Sequence, residues 1–156
     1  MPSEIERKFL LPEAPACLSE SKAVQIEQGY LAIEEAVEIR LRRSEEERLL
    51  TAKRGHGEVR EEIEIDLDRE QFDALWPLTE SRRLTKTRHL IPIDDGLTAE
   101  VDVFEGELES LVTGEIEFDS EEQSGAFEPP AWMGREITGD ERYAGQSLAL
   151  HGHPSV

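Results

Sequence analysis

The sequence predicts a mainly β (α+β) protein, a closed eight-stranded antiparallel β-barrel with a polar, charged lumen and a few covering helices. The first observation is that charged and apolar residues alternate in segment after segment, with the period of two typical of strands. The second is that the charged residues fall largely into purely acidic and purely basic pairs, although a solvated surface needs no such sorting. We therefore expect the charged faces to meet across a tunnel, with the apolar faces outside.

The same alternation gives the strand positions in chain order. Eight strands are expected at residues 3–11, 24–33, 36–43, 48–54, 59–67, 81–93, 97–104 and 111–119.

Helix signals are fewer and lie between or after the strands. Residues 68–76 read as a helix with Asp68 as the N-cap and Pro77 as its stop. Residues 12–21 favour a short helix, residues 121–130 carry loop signals, and residues 140–151 are expected to form one last helix.

The predicted lumen is nearly neutral. It holds eight acids and six bases, a net charge of −2: Glu4, Glu6, Glu62, Glu64, Glu100, Asp102, Glu115 and Glu117 against Lys8, Arg40, Arg42, Lys53, Lys86 and Arg88. Unpaired charge in a confined space is costly, so these groups must pair, hold water or bind a ligand that carries ions of both signs. A polyphosphate with Mg²⁺ or Mn²⁺ fits, because Lys and Arg bind phosphate oxygens and carboxylates bind hard cations.

Eight segments of the chain resemble the CYTH superfamily, the triphosphate tunnel metalloenzymes, and among them the short bacterial inorganic triphosphatases. The matching segments follow the family's order from residue 3 to about 119: Glu4–Lys8, Gln28–Leu31, Glu38–Arg42, Leu50–Lys53, Arg60–Glu64, Thr85–Arg88, Glu100–Phe104 and Gly114–Phe118. Trp132–Tyr143 resembles the end of the short bacterial members, although Gly145 stands where the family commonly has Asn.

The resemblance implies roles for the lumen residues. The first cation site is expected to use Glu4, Glu6, Asp102, Glu115 and Glu117. Glu62, Glu64 and Glu100 are expected to hold a second cation or to orient the attacking water. Catalysis is assigned to Glu4, Glu6, Lys8, Glu62 and Glu64, with one or two Mg²⁺ or Mn²⁺ ions. The triphosphate is expected to be bound by Lys8, Arg40, Arg42, Lys53, Lys86 and Arg88.

The predicted reaction is hydrolysis of tripolyphosphate to pyrophosphate and phosphate by direct attack of water. Thiamine triphosphatases and class IV adenylyl cyclases belong to the same family and remain alternatives, as does a noncatalytic polyphosphate-binding module. Nine aromatic residues offer little stacking surface for a base, which favours tripolyphosphate.

Composition bounds the remaining properties. A chain of 156 residues that is 37% hydrophobic suits one domain, residues 1–156. The net charge of −19 argues against nucleic acid as a partner. Cys17 is the single cysteine, so a disulfide framework is excluded and a reducing compartment is expected. No apolar run reaches membrane-span length and no targeting signal is recognised, so we expect a cytoplasmic monomer or homodimer without a membrane partner.

Overall fold

The computed structural model describes residues 3–55 and 58–154. Its eight antiparallel strands close into a barrel with the order β1-β5-β4-β3-β2-β6-β7-β8. The strands are β1 Ser3–Leu10, β2 Lys22–Glu34, β3 Val37–Arg43, β4 Arg48–Arg54, β5 Val59–Asp66, β6 Arg83–Pro92, β7 Thr98–Phe104 and β8 Val112–Phe118. The predicted barrel is confirmed, and each predicted strand end lies within two residues of the observed one.

The register of the barrel places charged side chains beside each other inside it. Lys53 on β4 lies opposite Glu38 on β3 and Glu62 on β5. Arg88 on β6 lies opposite Asp102 on β7. Because side chains of directly opposed residues share a face of the sheet, the charged face of each strand points into the same lumen.

The helix after β5 begins at the predicted cap and ends just before the predicted stop. Helix α1 (Arg69–Leu75) starts after Asp68, whose carboxylate accepts a hydrogen bond from the amide of Gln71 in a capping box. Pro77 lies in the first turn of the 3-10 helix that follows, Trp76–Thr79, where its missing amide N–H is not needed. A further 3-10 turn, Ala16–Glu20, fills the predicted short helix before β2.

Two expectations for the carboxyl-terminal part are wrong. Residues 121–130 are not all loop, since Ser120 caps helix α2 (Glu121–Ala126) through the amide of Gln123. The last predicted helix is broken into a 3-10 turn, Glu141–Tyr143, and helix α3 (Gly145–His151), because Ala144 is extended. In the part of the chain that the structure describes, no helix is long and apolar enough to cross a membrane.

The apolar residues form two clusters that cover only part of the barrel. The first lies outside β1 and β6–β8, under α2 and the segment after it. The second packs α3 over one end of the barrel, against β2 and β6. The few covering helices leave one part of the barrel open, since these outer side chains of β3 and β5 are exposed: Val37, Val59, Ile63 and Ile65.

Gly145 is the residue that lets α3 approach the barrel. A Cβ at this position would overlap the hydroxyl of Tyr30 and lie 3.0 Å from the amide nitrogen of Gln28. Tyr30 is fully buried, so it has no free space into which to retreat. Glycine therefore stands where the docking of α3 leaves no room for a side chain.

We expect Gly145→Ala to lower the melting temperature by several degrees, because α3 must move away from Tyr30 or strain its packing. Gly125→Ala is the matched control, since Gly125 also lies in a short helix and a Cβ there meets nothing within 4 Å. That control should be neutral or slightly stabilising. Thermal melts of the two variants that shift equally would contradict this account of Gly145.

Candidate active site

A cavity of about 620 Å³ runs inside the barrel, and all fourteen charged residues predicted for the lumen line it. The segment from Ile137 to Leu148 contributes to its wall near the end covered by α3. The predicted orientation of the strands is therefore correct in the structure, and acids and bases share one enclosed space.

Three of the predicted acids come together at one point of the lumen. Glu4, Glu6 and Glu115 each place one carboxylate oxygen within 4.8 Å of the other two. Burial and then the negative charge of Glu6 raise the pKa of Glu115. The Oε2 atoms of Glu4 and Glu6 are buried and have no hydrogen-bond partner among the residues described. This three-carboxylate cluster therefore has oxygen atoms available for a cation.

The other predicted cation ligands lie outside this cluster. Glu117 is exposed on β8, although burial and then the charge of Glu100 raise its pKa. Glu64 is exposed on β5, and Glu62 is half-buried two residues before it. Glu100 lies 3.2 Å from Arg88 Nη1. These four line the cavity outside the three-carboxylate cluster, although Glu117 lies opposite Glu6 and Glu100 lies opposite Glu115 in the strand register.

Asp102 is held between two cations. It accepts two hydrogen bonds from Arg88, from Nε at 2.8 Å and from Nη2 at 3.0 Å. Lys86 Nζ lies 2.8 Å from Asp102 Oδ2, the oxygen that also accepts from Arg88 Nη2. These positive charges hold the pKa of the buried Asp102 well below its ordinary value despite the opposing effect of burial. Asp102 thus orients Lys86 and Arg88.

Arg40 and Arg42 differ from Lys86 and Arg88 in their contacts. In residues 3–55 and 58–154, neither makes an ion pair with a carboxylate. Arg42 donates from Nε and Nη2 to the amide oxygen of Gln28, at 3.0 and 2.8 Å. Burial and then the charge of Arg40 lower the pKa of Arg42 to about 9, which leaves it protonated at neutral pH. Arg40 and Arg42 therefore carry positive charge without a described carboxylate in contact, and an added anion can bind there.

The two remaining predicted triphosphate ligands, Lys8 and Lys53, contact neighbouring groups of the protein. Lys8 Nζ donates to the carbonyl oxygen of Tyr143 at 2.7 Å. Lys53 Nζ lies 3.5 Å from Glu4 Oε2. Burial and then the charge of Arg40 lower the pKa of Lys53 to about 8. Both lysines line the cavity. The ammonium group of Lys53 lies next to the three-carboxylate cluster, and that of Lys8 contacts the carboxyl-terminal segment.

Three further residues belong to the lumen and received no role from the sequence. Gln28 donates from its amide nitrogen to the hydroxyl of Tyr30 at 2.7 Å, which fixes the amide oxygen toward Arg42. Glu38 and Arg60 line the cavity and add one charge of each sign. The strand period could have found Glu38 and Arg60, because they share a face with Arg40 and with Glu62.

The protein-family model of the CYTH domain matches residues 2–149 of this chain. The chain belongs to the CYTH family. The family resemblance carried by the eight sequence segments is therefore confirmed, and this CYTH chain has the closed barrel expected for it.

The CYTH chain is similar to two curated proteins named inorganic triphosphatase. The one from Nitrosomonas europaea is 46% identical over 149 residues, which are 95% of this chain and 97% of that protein. The one from Acetivibrio thermocellus is 36% identical over 151 residues, 95% and 94% of the two chains. A crystal structure of an inorganic triphosphatase superposes with a TM-score of 0.72 at 43% identity, covering 99% of each chain.

The three-carboxylate cluster of this CYTH chain has the donors that a divalent metal ion requires. Its carboxylate oxygens are hard ligands, and two of its buried oxygen atoms lack a hydrogen bond. The arrangement can hold a metal ion.

Proposed function

We propose that this protein hydrolyses inorganic triphosphate to pyrophosphate and phosphate and that it requires Mg²⁺ or Mn²⁺ to do so. One observation carries the proposal. One cavity holds buried carboxylate oxygens without hydrogen bonds beside the buried Arg40 and the half-buried Arg42, neither of which contacts a described carboxylate. A triphosphate with a divalent cation supplies both missing partners. The similarity to two inorganic triphosphatases supports the choice of substrate.

The phosphate groups are assigned to the cationic side of the cavity. Arg40 and Arg42 have charge that no described carboxylate neutralises, so a phosphate oxygen gains most there. Lys86 and Arg88 are oriented by Asp102 and extend the same positive surface. Cations that are already in position stabilise the charge that develops on a transferring phosphoryl group without reorganising. Lys8 and Lys53 complete the predicted set of triphosphate ligands.

The cation is assigned to Glu4, Glu6 and Glu115. When bound, a divalent ion supplies positive charge to phosphate oxygens and makes water easier to deprotonate. The assignment of Glu117, Glu62, Glu64 and Glu100 to a cation or to the attacking water stays a prediction.

Asp102 has two candidate roles, as a ligand of the divalent cation and as a residue that positions neighbouring side chains. Its assignment as a cation ligand stays a prediction. The ion pairs with Lys86 and Arg88 favour a different role, in which Asp102 positions those two cations.

Direct attack by water fits the groups that line the cavity. No Ser or Cys lies among the lining residues that the structure describes, and Thr138 is the hydroxyl side chain there. The Thr138 hydroxyl donates to Glu136 at 2.7 Å and accepts from the Lys8 amide at 2.9 Å, so it is already engaged in contacts that join β1 to the carboxyl-terminal segment. A covalent intermediate is therefore not part of the proposal.

Tripolyphosphate is expected to have a higher kcat/KM than ATP or thiamine triphosphate. Among the lining residues described, Phe104 is the aromatic one, and it lies under Lys86 with 5.5 Å from Nζ to the ring centroid. That ring is thus covered, and a purine or thiazole finds no stacking surface. Chromatography of parallel reactions with Mg²⁺ or Mn²⁺ measures the products. Cyclic AMP from ATP with tripolyphosphate left intact would indicate a cyclase, and binding without turnover of any of the three would indicate a noncatalytic module.

A further inference from the structure

Arg60 on β5 reaches from the wall of the barrel to the three-carboxylate cluster. Its Nη2 makes a very short ion pair with Glu6 Oε1, and its Nη1 lies 3.8 Å from Glu38 Oε1. The side chain is 20% exposed, so most of the guanidinium is removed from water. Arg60 and Glu6 both line the cavity.

The charge on Arg60 is fixed by the cluster. Burial alone would lower its pKa, but the negative charges of Glu6, Glu115 and Glu4 together raise the pKa above its ordinary value. Arg60 is therefore a permanent cation. It neutralises part of a site whose carboxylates otherwise repel each other.

The contacts of Arg60 leave it incompletely satisfied. A guanidinium has five N–H donors, and buried donors of a purely structural arginine are normally hydrogen-bonded. The Nε of Arg60 is buried and has no hydrogen-bond partner among the residues described. Its one close contact is with a carboxylate that is also assigned to the divalent cation. This favours a group that exchanges partners over one that only fastens two strands together.

We propose that Arg60 competes with the divalent cation for Glu6, and that the displaced guanidinium binds a phosphate oxygen of the substrate. The second half of this inference rests on the proposed function. Arg60 holds Glu6 Oε1, while Oε2 is the oxygen left for the cation. A dication at Oε2 and the guanidinium at Oε1 repel each other, so binding of the cation weakens the Arg60–Glu6 ion pair. After displacement, Glu38 is the acid still within reach, and a triphosphate in the same cavity supplies further acceptors. Binding of cation and triphosphate is therefore positively coupled through Arg60.

Arg60→Gln tests the competition without any turnover measurement. Mn²⁺ is titrated calorimetrically into the protein in the absence of phosphate. We expect the variant to bind Mn²⁺ about 10-fold more tightly, within the range typical of coupling between two sites. A residue that only supports the fold would give the opposite sign, since its loss would loosen the site. Unchanged or weaker Mn²⁺ binding by a folded variant would overturn the proposal.

Arg54→Gln is the matched control. Arg54 is also an arginine beside β5 that pairs with a glutamate, Glu61, at 2.5 Å, but it is 64% exposed. Its replacement should leave Mn²⁺ affinity unchanged. Arg60→Met serves if Arg60→Gln does not fold, because it also removes the charge and keeps a long unbranched side chain. It should tighten Mn²⁺ binding in the same direction, and no change would equally overturn the proposal.

A second calorimetric titration tests whether the displaced Arg60 guanidinium binds the triphosphate. With Mn²⁺ saturating, Arg60→Gln should bind tripolyphosphate about 10-fold more weakly than the parent, while Arg54→Gln should not. Equal tripolyphosphate affinity would refute the phosphate contact and leave the competition for Glu6 standing. A parent protein that binds Mn²⁺ but does not cleave tripolyphosphate would defeat the proposed function and not the Mn²⁺ result.

Discussion

Glu4→Gln is expected to lower tripolyphosphate turnover by at least about 100-fold, the order of effect seen when a group that stabilises transition-state charge is removed. The substitution keeps the shape of the side chain and removes the charge. Glu4 has a buried oxygen without a hydrogen bond and belongs to the three-carboxylate cluster, so its loss weakens the cation site directly. Steady-state rates at a series of Mg²⁺ or Mn²⁺ concentrations give the measurement.

Two further glutamate variants serve as comparisons for Glu4→Gln. Glu61→Gln alters a glutamate paired with Arg54 on the outside of the barrel and should leave turnover nearly unchanged. Glu117→Gln should cost less than Glu4→Gln, because Glu117 is exposed and lies outside the cluster. Full activity of Glu4→Gln, or full activity of the parent in excess chelator, would disprove the assignment of the cation to this cluster.

Arg42→Ala is expected to weaken tripolyphosphate binding by roughly 10- to 150-fold, because a hydrogen bond to a charged group contributes about 1.5 to 3 kcal/mol. Arg42 is chosen because Gln28, and no described carboxylate, holds its guanidinium. Its positive charge is therefore available to the phosphate without first breaking an ion pair. Calorimetric titration with tripolyphosphate measures the change.

Arg54→Ala provides the control for the loss of a positive charge, since Arg54 is exposed on the outer face. It should bind tripolyphosphate as tightly as the parent does. A folded Arg42→Ala variant with parental affinity would mean that the triphosphate lies elsewhere in the cavity. Thermal melts show whether either variant is folded, because removal of Arg42 leaves the buried amide of Gln28 without its partner.

The barrel was predictable because its signal is local. Alternation with a period of two assigns each side chain to one face of its strand, whichever strand lies beside it. Glu4 and Glu6 therefore had to share a face, and an entire charged face is stable only against groups of opposite sign or a ligand. The capped start of α1 at Asp68 is local in the same sense.

The broken end of the chain was not predictable in this way. The stretch from residue 140 to 151 was expected to form one helix, yet Ala144 is extended just before Gly145. The break brings the carbonyl of Tyr143 to Lys8 and seats Gly145 against Tyr30. Both contacts join residues more than a hundred positions apart, so only the folded barrel supplies the reason for them.

Strand periodicity is enough to place the acids and bases on the face that lines one lumen. Which acid meets which cation depends on strand register and side-chain reach, and these are set when the barrel closes. Glu115 joins Glu4 and Glu6 through the pairing of β8 with β1, whereas Asp102 is drawn to Lys86 and Arg88 by the pairing of β7 with β6.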